Sequence, residues 1–459
     1  MEIHVAGAGA GKTRSMVDRI IEINAQLEKN KNIYCITFTN NATNCIRERL
    51  TEKLGHIPDN IKISTIHSFL YQEIIKPYYY LLYGKEYERI SLISLPQEYE
   101  SKNAEIKKLE NLSILHVSKI PERAAWTVVK KSHDKKEKRQ KRKVIMDVFK
   151  SYCGAICIDE AQDIDERVCE IIEKFNQEDI PIILMGDPKQ DLRGSNTFKK
   201  LISTHTNTIN EINYHNICHR CPREHINLSN SIVPENEKQC SERNGGVIDV
   251  YFEKDLSIGE VIDKAQYDLK YISKKTDLYE THDLITDKCG DKIYVLLYAE
   301  MKKRSSFQLD LVRRRLAYGC TQKILDCIKS NTDIDIKNEL FRIGIKEEGN
   351  GKITSYINKI VAGREKKSGV GTVLVSSIES IKGQEGRQCL FILTPDLAKY
   401  LFKKNTKDNK MKNLLYVALT RSLETLTIYV TKKVEDGYSR DAIHGFFEKY
   451  GACIHEGDI

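Results

Sequence analysis

The segment Ala6-Gly7-Ala8-Gly9-Ala10-Gly11-Lys12-Thr13 constrains this chain more than any other. Ile3 to Ala6 ahead of it reads as a buried strand. Behind it, from Arg14 onward, Met16, Val17, Ile20, Ile21 and Leu27 recur at helical spacing. Strand, glycine-rich turn and helix in that order make a phosphate cradle. Glycines let the backbone wrap closely round an anion, and the N–H groups of the turn and of the helix N-terminus point at it. In such a loop Gly7, Ala8, Gly9, Ala10 and Gly11 present backbone donors, Lys12 reaches the β- and γ-phosphates, and the Thr13 hydroxyl holds Mg²⁺, with Arg14 following on the helix. Ala6 stands where the strict pattern has glycine.

A chain of 459 residues is too long for one core, so two or more domains are expected. With 40% hydrophobic and 30% charged residues it has the composition of a globular protein. A formal charge of +8 permits nucleic acid binding without demanding it. No apolar run reaches membrane-spanning length and the N-terminus has no signal-peptide pattern, so no membrane partner is expected. Thirteen scattered cysteines, among them Cys35, Cys45, Cys157 and Cys327, read as reduced core residues of a cytoplasmic protein.

Along the chain, Ile33–Phe38 reads as a strand and Asn41–Leu54 as a helix capped by Asn40 or Asn41. Ile61–Thr65 is a short strand running into a helix at Ile66–Ile75. Tyr78, Tyr79, Tyr80, Tyr83 and Tyr87 then cluster, and a basic run spans Lys130 to Lys143, so that 77–148 reads as an insertion. Ala155–Asp159 and Ile180–Asp187 are buried strands ending in acids, an arrangement that predicts a parallel α/β sheet with its chemistry at the strand C-termini. A second set of strands is expected at Thr208–Tyr214, Val247–Phe252, Ile293–Tyr298, Thr372–Ser377, Cys389–Leu393 and Leu426–Val430, interrupted by a polar helical block at 317–367. The pattern is two α/β domains, each interrupted once.

Asp159-Glu160-Ala161-Gln162-Asp163 follows a buried strand directly, where a phosphate-loop ATPase needs two carboxylates. Asp159 is assigned to the metal and Glu160 to the proton of the attacking water. Gly186-Asp187-Pro188-Lys189-Gln190 repeats the arrangement at the next strand, and Gln190 is placed to bond the γ-phosphate or the water.

These motifs and five others resemble, in order, those of superfamily 1 helicases of the UvrD/Rep/PcrA type. Thr37-Phe38-Thr39-Asn40-Asn41-Ala42 is similar to the family's TFTNKAA, and Ser64-Thr65-Ile66-His67-Ser68 to its TFHS. Cys218-His219-Arg220-Cys221 resembles the YR or HR motif, Val375 to Glu385 the TxHxxKGxE motif, and Tyr416-Val417-Ala418-Leu419-Thr420-Arg421 the YVALTR motif. The resemblance implies two RecA-like domains, one of 1–76 and 149–206 with a helical insertion at 77–148. The other comprises 207–316 and 368–459, with a reduced insertion at 317–367. It implies ATP and Mg²⁺ in the cleft, with Glu160, Gln190, Arg220 and Arg421 catalytic and Glu385 near the nucleotide sugar. DNA contacts are implied for Thr37, Phe38, Thr39, Asn40, His67, Ser377 and Lys382, with movement 3′→5′ along a single strand. For His67 a structural role stands beside the DNA contact.

The chain departs from that pattern in four places. Met1–His4 leaves no room for the family's adenine-reading glutamine segment, and Asp191-Leu192-Arg193-Gly194-Ser195 lacks the family's base-stacking ring. Glu379 stands where the family has histidine, and the second insertion is reduced. A motor so trimmed resembles the helicase-like subunits of Gabija-type anti-phage systems, which implies a nuclease partner in a hetero-oligomer. Its DNA would be single-stranded or an end-bearing duplex. Two alternatives stay open: a nucleotide-gated DNA-end sensor that hydrolyses ATP without unwinding, and an RNA-directed motor. The basic run has two readings, a phosphate contact or a solvated helix face.

Overall fold

The computed structural model describes residues 1–96, 98–206, 212–276, 278–281, 287–304, 309–330, 336–345, 351–367 and 373–456. It divides into two compact units, Met1–Leu256 with Gln384–Ile459, and Ser257–Gly383.

The first unit holds two parallel sheets. Strands β1 (Glu2–Ala6), β2 (Asn32–Thr37), β3 (Ile61–Thr65), β4 (Cys153–Ile158), β5 (Ile182–Gly186) and β6 (Ile212–His215) lie in the order β3-β2-β4-β5-β1-β6. Alternate residues face opposite sides, as the pleat requires. Ile36, Ile156, Ile158, Ile182 and Leu184 pack one core with Phe69 and Phe149. Cys35, Ala155, Cys157, Ile183 and Met185 pack another with Met16, Val17, Ile20 and Ile46. Both faces are covered, which is why these strands read as unbroken apolar runs. Strands β7 (Val247–Phe252), β8 (Gly386–Leu393), β9 (Ser422–Val430) and β10 (Cys453–His455) form the second lobe in the order β8-β9-β7-β10, all parallel.

Between β3 and β4 the chain runs out into helices that include Ile120–Val128 and Lys136–Tyr152. Tyr78, Tyr79 and Tyr87 are buried there with Tyr83 packed against them, whereas Tyr80 is exposed. Tyr79 lies 4.6 Å from Tyr83, and the Tyr78 and Tyr152 hydroxyls meet at 2.9 Å. The basic run is divided by function: Arg142 is buried against Asp134, and Lys131 and Lys138 sit over the Trp126 and Tyr83 rings. Lys135, Lys136, Arg139, Lys141 and Lys143 are left exposed.

The second unit contains the helices Asp287–Arg304, Asp310–Ser330, Ile336–Arg342 and Gly351–Lys367 around a core of Ile293, Leu297, Met301, Ile324, Leu340 and Ile357. Among the described residues no helix is long and apolar enough to cross a membrane.

Three local expectations are corrected. Ile293–Tyr298 is helix, not strand: Ile293, Leu297 and Met301, spaced by four, are fully buried while Val295 between them is 59% exposed. Ile212–His215 pairs with β1 in the first sheet instead of joining the second set, and 207–211 and 368–372, where two expected strands begin, lie outside the described residues. The helix Asn40–Leu54 is capped by Thr39, whose hydroxyl accepts the Ala42 N–H at 3.2 Å, so neither asparagine caps it.

Phe149 joins the insertion to the first sheet, stacking on Phe175 at 5.1 Å and meeting Phe69 edge-on at 6.3 Å. Phe149→Ala is expected to destabilise the chain by about 3–5 kcal/mol, read as a lower denaturant midpoint.

Candidate active site

The loop after β1 turns through two left-handed residues, Gly9 at φ 68° and Gly11 at φ 75°, which a side chain would strain. Gly9 is also pressed on the second lobe. A Cβ built there would lie 2.4 Å from the Arg220 Cβ and 2.8 Å from the Cys218 sulfur. One built on Gly7 would lie 2.2 Å from the Gln239 side chain. The contact is bonded as well as close: the His219 N–H donates to the Gly9 carbonyl at 2.9 Å, and the Ala8 N–H donates to the Tyr416 hydroxyl at 2.9 Å. That hydroxyl in turn donates to Gln239 Oε1 at 2.8 Å, and Gln239 Nε2 donates to the Ala8 carbonyl at 3.1 Å.

Lys12 folds back on the loop, its ammonium donating to the Ala6 and Gly7 carbonyls at 3.4 and 3.3 Å. These are long bonds, easily exchanged for better acceptors. Thr13 Oγ1 donates to Asp159 Oδ2 at 3.1 Å, so a hydroxyl and a carboxylate meet at the end of β4. Hard oxygen donors of this kind, completed by water and phosphate oxygens, fit Mg²⁺. Burial, then the charge of Glu160, push the Asp159 carboxyl up to about 6 against the pull of Lys12. Glu160 is held at φ 58°, a conformation costly for a non-glycine residue and characteristic of functional sites. Arg14 is exposed beside the loop, in a pocket with Cys45, Glu48 and Arg49.

At the end of β5, Gln190 Nε2 donates to Asp187 Oδ2 at 2.9 Å. Lys189, 6% exposed, lies 3.1 Å from both Asp187 and Glu237, with the Tyr416 ring 5.2 Å from its ammonium. Burial works against its charge, but Asp187 and Glu237 outweigh burial and raise its pKa. The same pairing with Lys189 holds Asp187 below the ordinary carboxylate range in spite of burial.

From the second lobe, Arg220 pairs with Glu385 (Nε to Oε2, 2.5 Å). Arg421 is fully buried, donating to the carbonyls of Val417 at 3.0 Å and Gln384 at 3.2 Å and to Thr420 Oγ1 at 3.2 Å. Lys12, Thr13, Asp159, Glu160 and Gln190 thus line the first lobe's strand ends, and Arg220 abuts Gly9 from the other side.

The residues expected to touch DNA fall in two places. Thr37 donates to the Thr39 carbonyl at 3.0 Å, Asn40 opens the following helix, and the Arg193 guanidinium lies 5.8 Å from the Phe38 ring. His67 is half-buried, and burial lowers its pKa. Ser377 and Lys382 belong to the other unit, where the Ser377 carbonyl accepts the Ser380 hydroxyl at 2.7 Å and the Lys382 N–H donates to the Glu379 carbonyl. Arg193, Lys189, Tyr416, Glu237 and Gln239 were given no role by sequence. The first three lie inside or beside quoted motifs, whereas Glu237 and Gln239 sit in a loop without any local signal.

Residues 3–153 match the UvrD/REP helicase N-terminal domain. Over 289 residues, 60% of this chain, the sequence is 27% identical to Gabija protein GajB of Bacillus cereus (strain VD045), and it covers 54% of that protein. The chain thus spans about half the length of that curated relative. It is 46% identical over 65 residues, 14% of its length, to the ATP-dependent DNA helicase PcrA of Bacillus subtilis (strain 168), of which this is 9%. A solved complex of Arterivirus nonstructural protein 10 (helicase) with DNA aligns with 97% of this chain and 63% of its own at a TM-score of 0.37 and 10% identity, too slight a likeness to argue from.

Lys189→Ala leaves Asp187 and Glu237 facing each other without the cation between them. A loss of about 3–5 kcal/mol is expected, measured by denaturant unfolding, and Glu237→Gln should cost less because it removes one of the charges.

Proposed function

We propose that the chain is a DNA-dependent ATPase of the UvrD type that steps 3′→5′ along single-stranded DNA. The six-stranded sheet and the β8-β9-β7-β10 sheet are its two motor lobes. The observation that carries this reading is the convergence of Lys12, Thr13, Asp159 and Glu160 at strand ends that face Arg220 across Gly9.

Phosphate oxygens of ATP replace the carbonyls now held by Lys12 and the Tyr416 hydroxyl now held by the Ala8 N–H. Thr13 and Asp159 would hold Mg²⁺, which when bound would supply positive charge against the phosphates. Glu160 takes a proton from water as its oxygen attacks the γ-phosphorus and ADP departs, with Gln190 orienting the water. Arg220, released from Glu385, stabilises the charge spread over the transferring group. Arg421 acts from within the second lobe, holding Gln384 beside Glu385. The DNA strand runs over Thr37, Phe38, Thr39, Asn40 and His67, and Ser377 and Lys382 carry the contacts of the other motif. The 27% identity to a Gabija protein supports a place in anti-phage defence, in the cytoplasm, as motor to a nuclease subunit.

A second reading, a DNA-end sensor that hydrolyses ATP without unwinding, is favoured by the turn after Gln190. Asp191 there accepts three backbone N–H groups, from Arg193, Gly194 and Asn196, and its carbonyl accepts from Asn413 at 2.9 Å. No ring stacks on a base from this turn, and the Arg193 guanidinium is the planar group available to do so.

DNA-stimulated ATP turnover and strand displacement, measured side by side, separate the two: turnover without displacement selects the sensor, and RNA in place of DNA tests the third class. Lys12→Ala and Glu160→Gln are each expected to lower turnover by about 10²-fold or more, and Arg220→Ala by about 10³-fold. Wild-type rates in the Lys12 variant would remove the phosphate loop from the reaction.

A further inference from the structure

Gln162 lies two residues beyond Glu160 and is completely buried. Its side chain spans the ends of two strands. Oε1 accepts the Asp187 N–H at 2.9 Å, and Nε2 donates to Glu160 Oε2. The orientation of the amide is fixed by its partners, because a backbone N–H can only donate and a carboxylate can only accept. Turning the amide over would set two donors against each other at Asp187 and two acceptors at Glu160. Space is fixed as well: a Cβ on Gly186 would lie 2.8 Å from Gln162 Oε1 and 3.0 Å from its backbone nitrogen, so β5 approaches this side chain as closely as a chain can.

We propose that Gln162 is a positioning residue for ATP hydrolysis, holding the Glu160 carboxylate at the angle from which it takes the proton of the attacking water. This rests on the reading of Glu160 as general base. Glu160 needs such a support, since its backbone is in the left-handed region and nothing intrinsic to the residue favours that conformation. The support is itself anchored. The Asp187 that holds Gln162 also binds Gln190, and its carboxylate pairs with Lys189, which reaches Glu237. The orientation of the general base is therefore mechanically continuous with the buried ion pair that joins the end of β5 to the loop carrying Gln239, which itself touches the phosphate loop. Gln162 acts through Glu160, so its effect belongs to the chemical step and not to binding.

Two variants test this. Gln162→Leu keeps the bulk and removes the amide. Turnover is expected to fall by about a hundredfold, the lower end of what a misaligned general base forfeits. The KM for ATP and the affinity for a fluorescent ATP analogue should stay within a few-fold of wild type, and a thermal melt reports on folding. Gln162→Glu keeps the shape but makes the donor ionisable. The groups facing it are Glu160, Asp187 and, behind them, Asp159 and Lys189. Neighbouring carboxylates hold a shared proton to higher pH than usual. This variant should turn over best while the introduced carboxyl is protonated and lose activity as pH rises, a descending limb absent from wild type. A merely structural glutamine would produce no such limb. Leucine-variant turnover within a few-fold of wild type, or equal losses in kcat and in nucleotide affinity, would overturn the inference. A wild-type protein that never hydrolyses ATP would overturn it together with the functional reading, and the wild-type measurement distinguishes the two failures.

Discussion

A glycine that cannot carry a side chain governs the arrangement. Gly9 turns the phosphate loop through a left-handed conformation and at the same point lets Cys218 and Arg220 lie on it. Any other residue would strain the turn and push the second lobe away. The His219 N–H and the Tyr416 hydroxyl can bond the loop because that approach is allowed. The loop after β1 and the motifs of the second lobe are thereby brought into one contact, although more than two hundred residues separate Gly9 from Arg220.

The polar groups buried around that contact are costly unless each has a partner. Lys189 is the clearest case: its charge survives burial only because Asp187 and Glu237 flank it. Arg421, fully buried, donates to two carbonyls and a hydroxyl. Networks like these contribute little net stability relative to an apolar core, but they admit few alternative geometries. The proposed ATPase site, which would place acids, amides and cations around one phosphorus, needs that restriction.

The insertion shows the same chemistry used for architecture. Most of its tyrosines, its tryptophan and several of its basic residues form a core in which Lys131, Lys138 and Arg123 lie over rings and Arg142 is buried with Asp134. Of the basic run, Lys130, Lys135 and the outward residues of the helix Lys136–Tyr152 remain as a cationic surface.

The chain's order of motifs was legible without a structure, because strand–turn–helix phosphate loops and acids at strand ends are local patterns with local physical causes. The parallel α/β class followed from apolar runs that alternate with helices, and β4, β5 and β7 appear close to where those runs predict them. The strand expected at Ile293–Tyr298 failed because six apolar residues in a row satisfy either period, and only packing against Leu340 and Ile357 selects the helical one. The assignment of β6 failed because a strand's sheet is chosen by its hydrogen-bonding neighbour, which the sequence does not name. Residue identities alone determined which groups were candidates for a nucleotide site. Only the tertiary structure decided that Tyr416 and Gln239 clasp Ala8, that Lys189 joins Asp187 to Glu237, and that Gln162 ties Glu160 to the next strand, since each of these contacts depends on distances between segments remote in the chain.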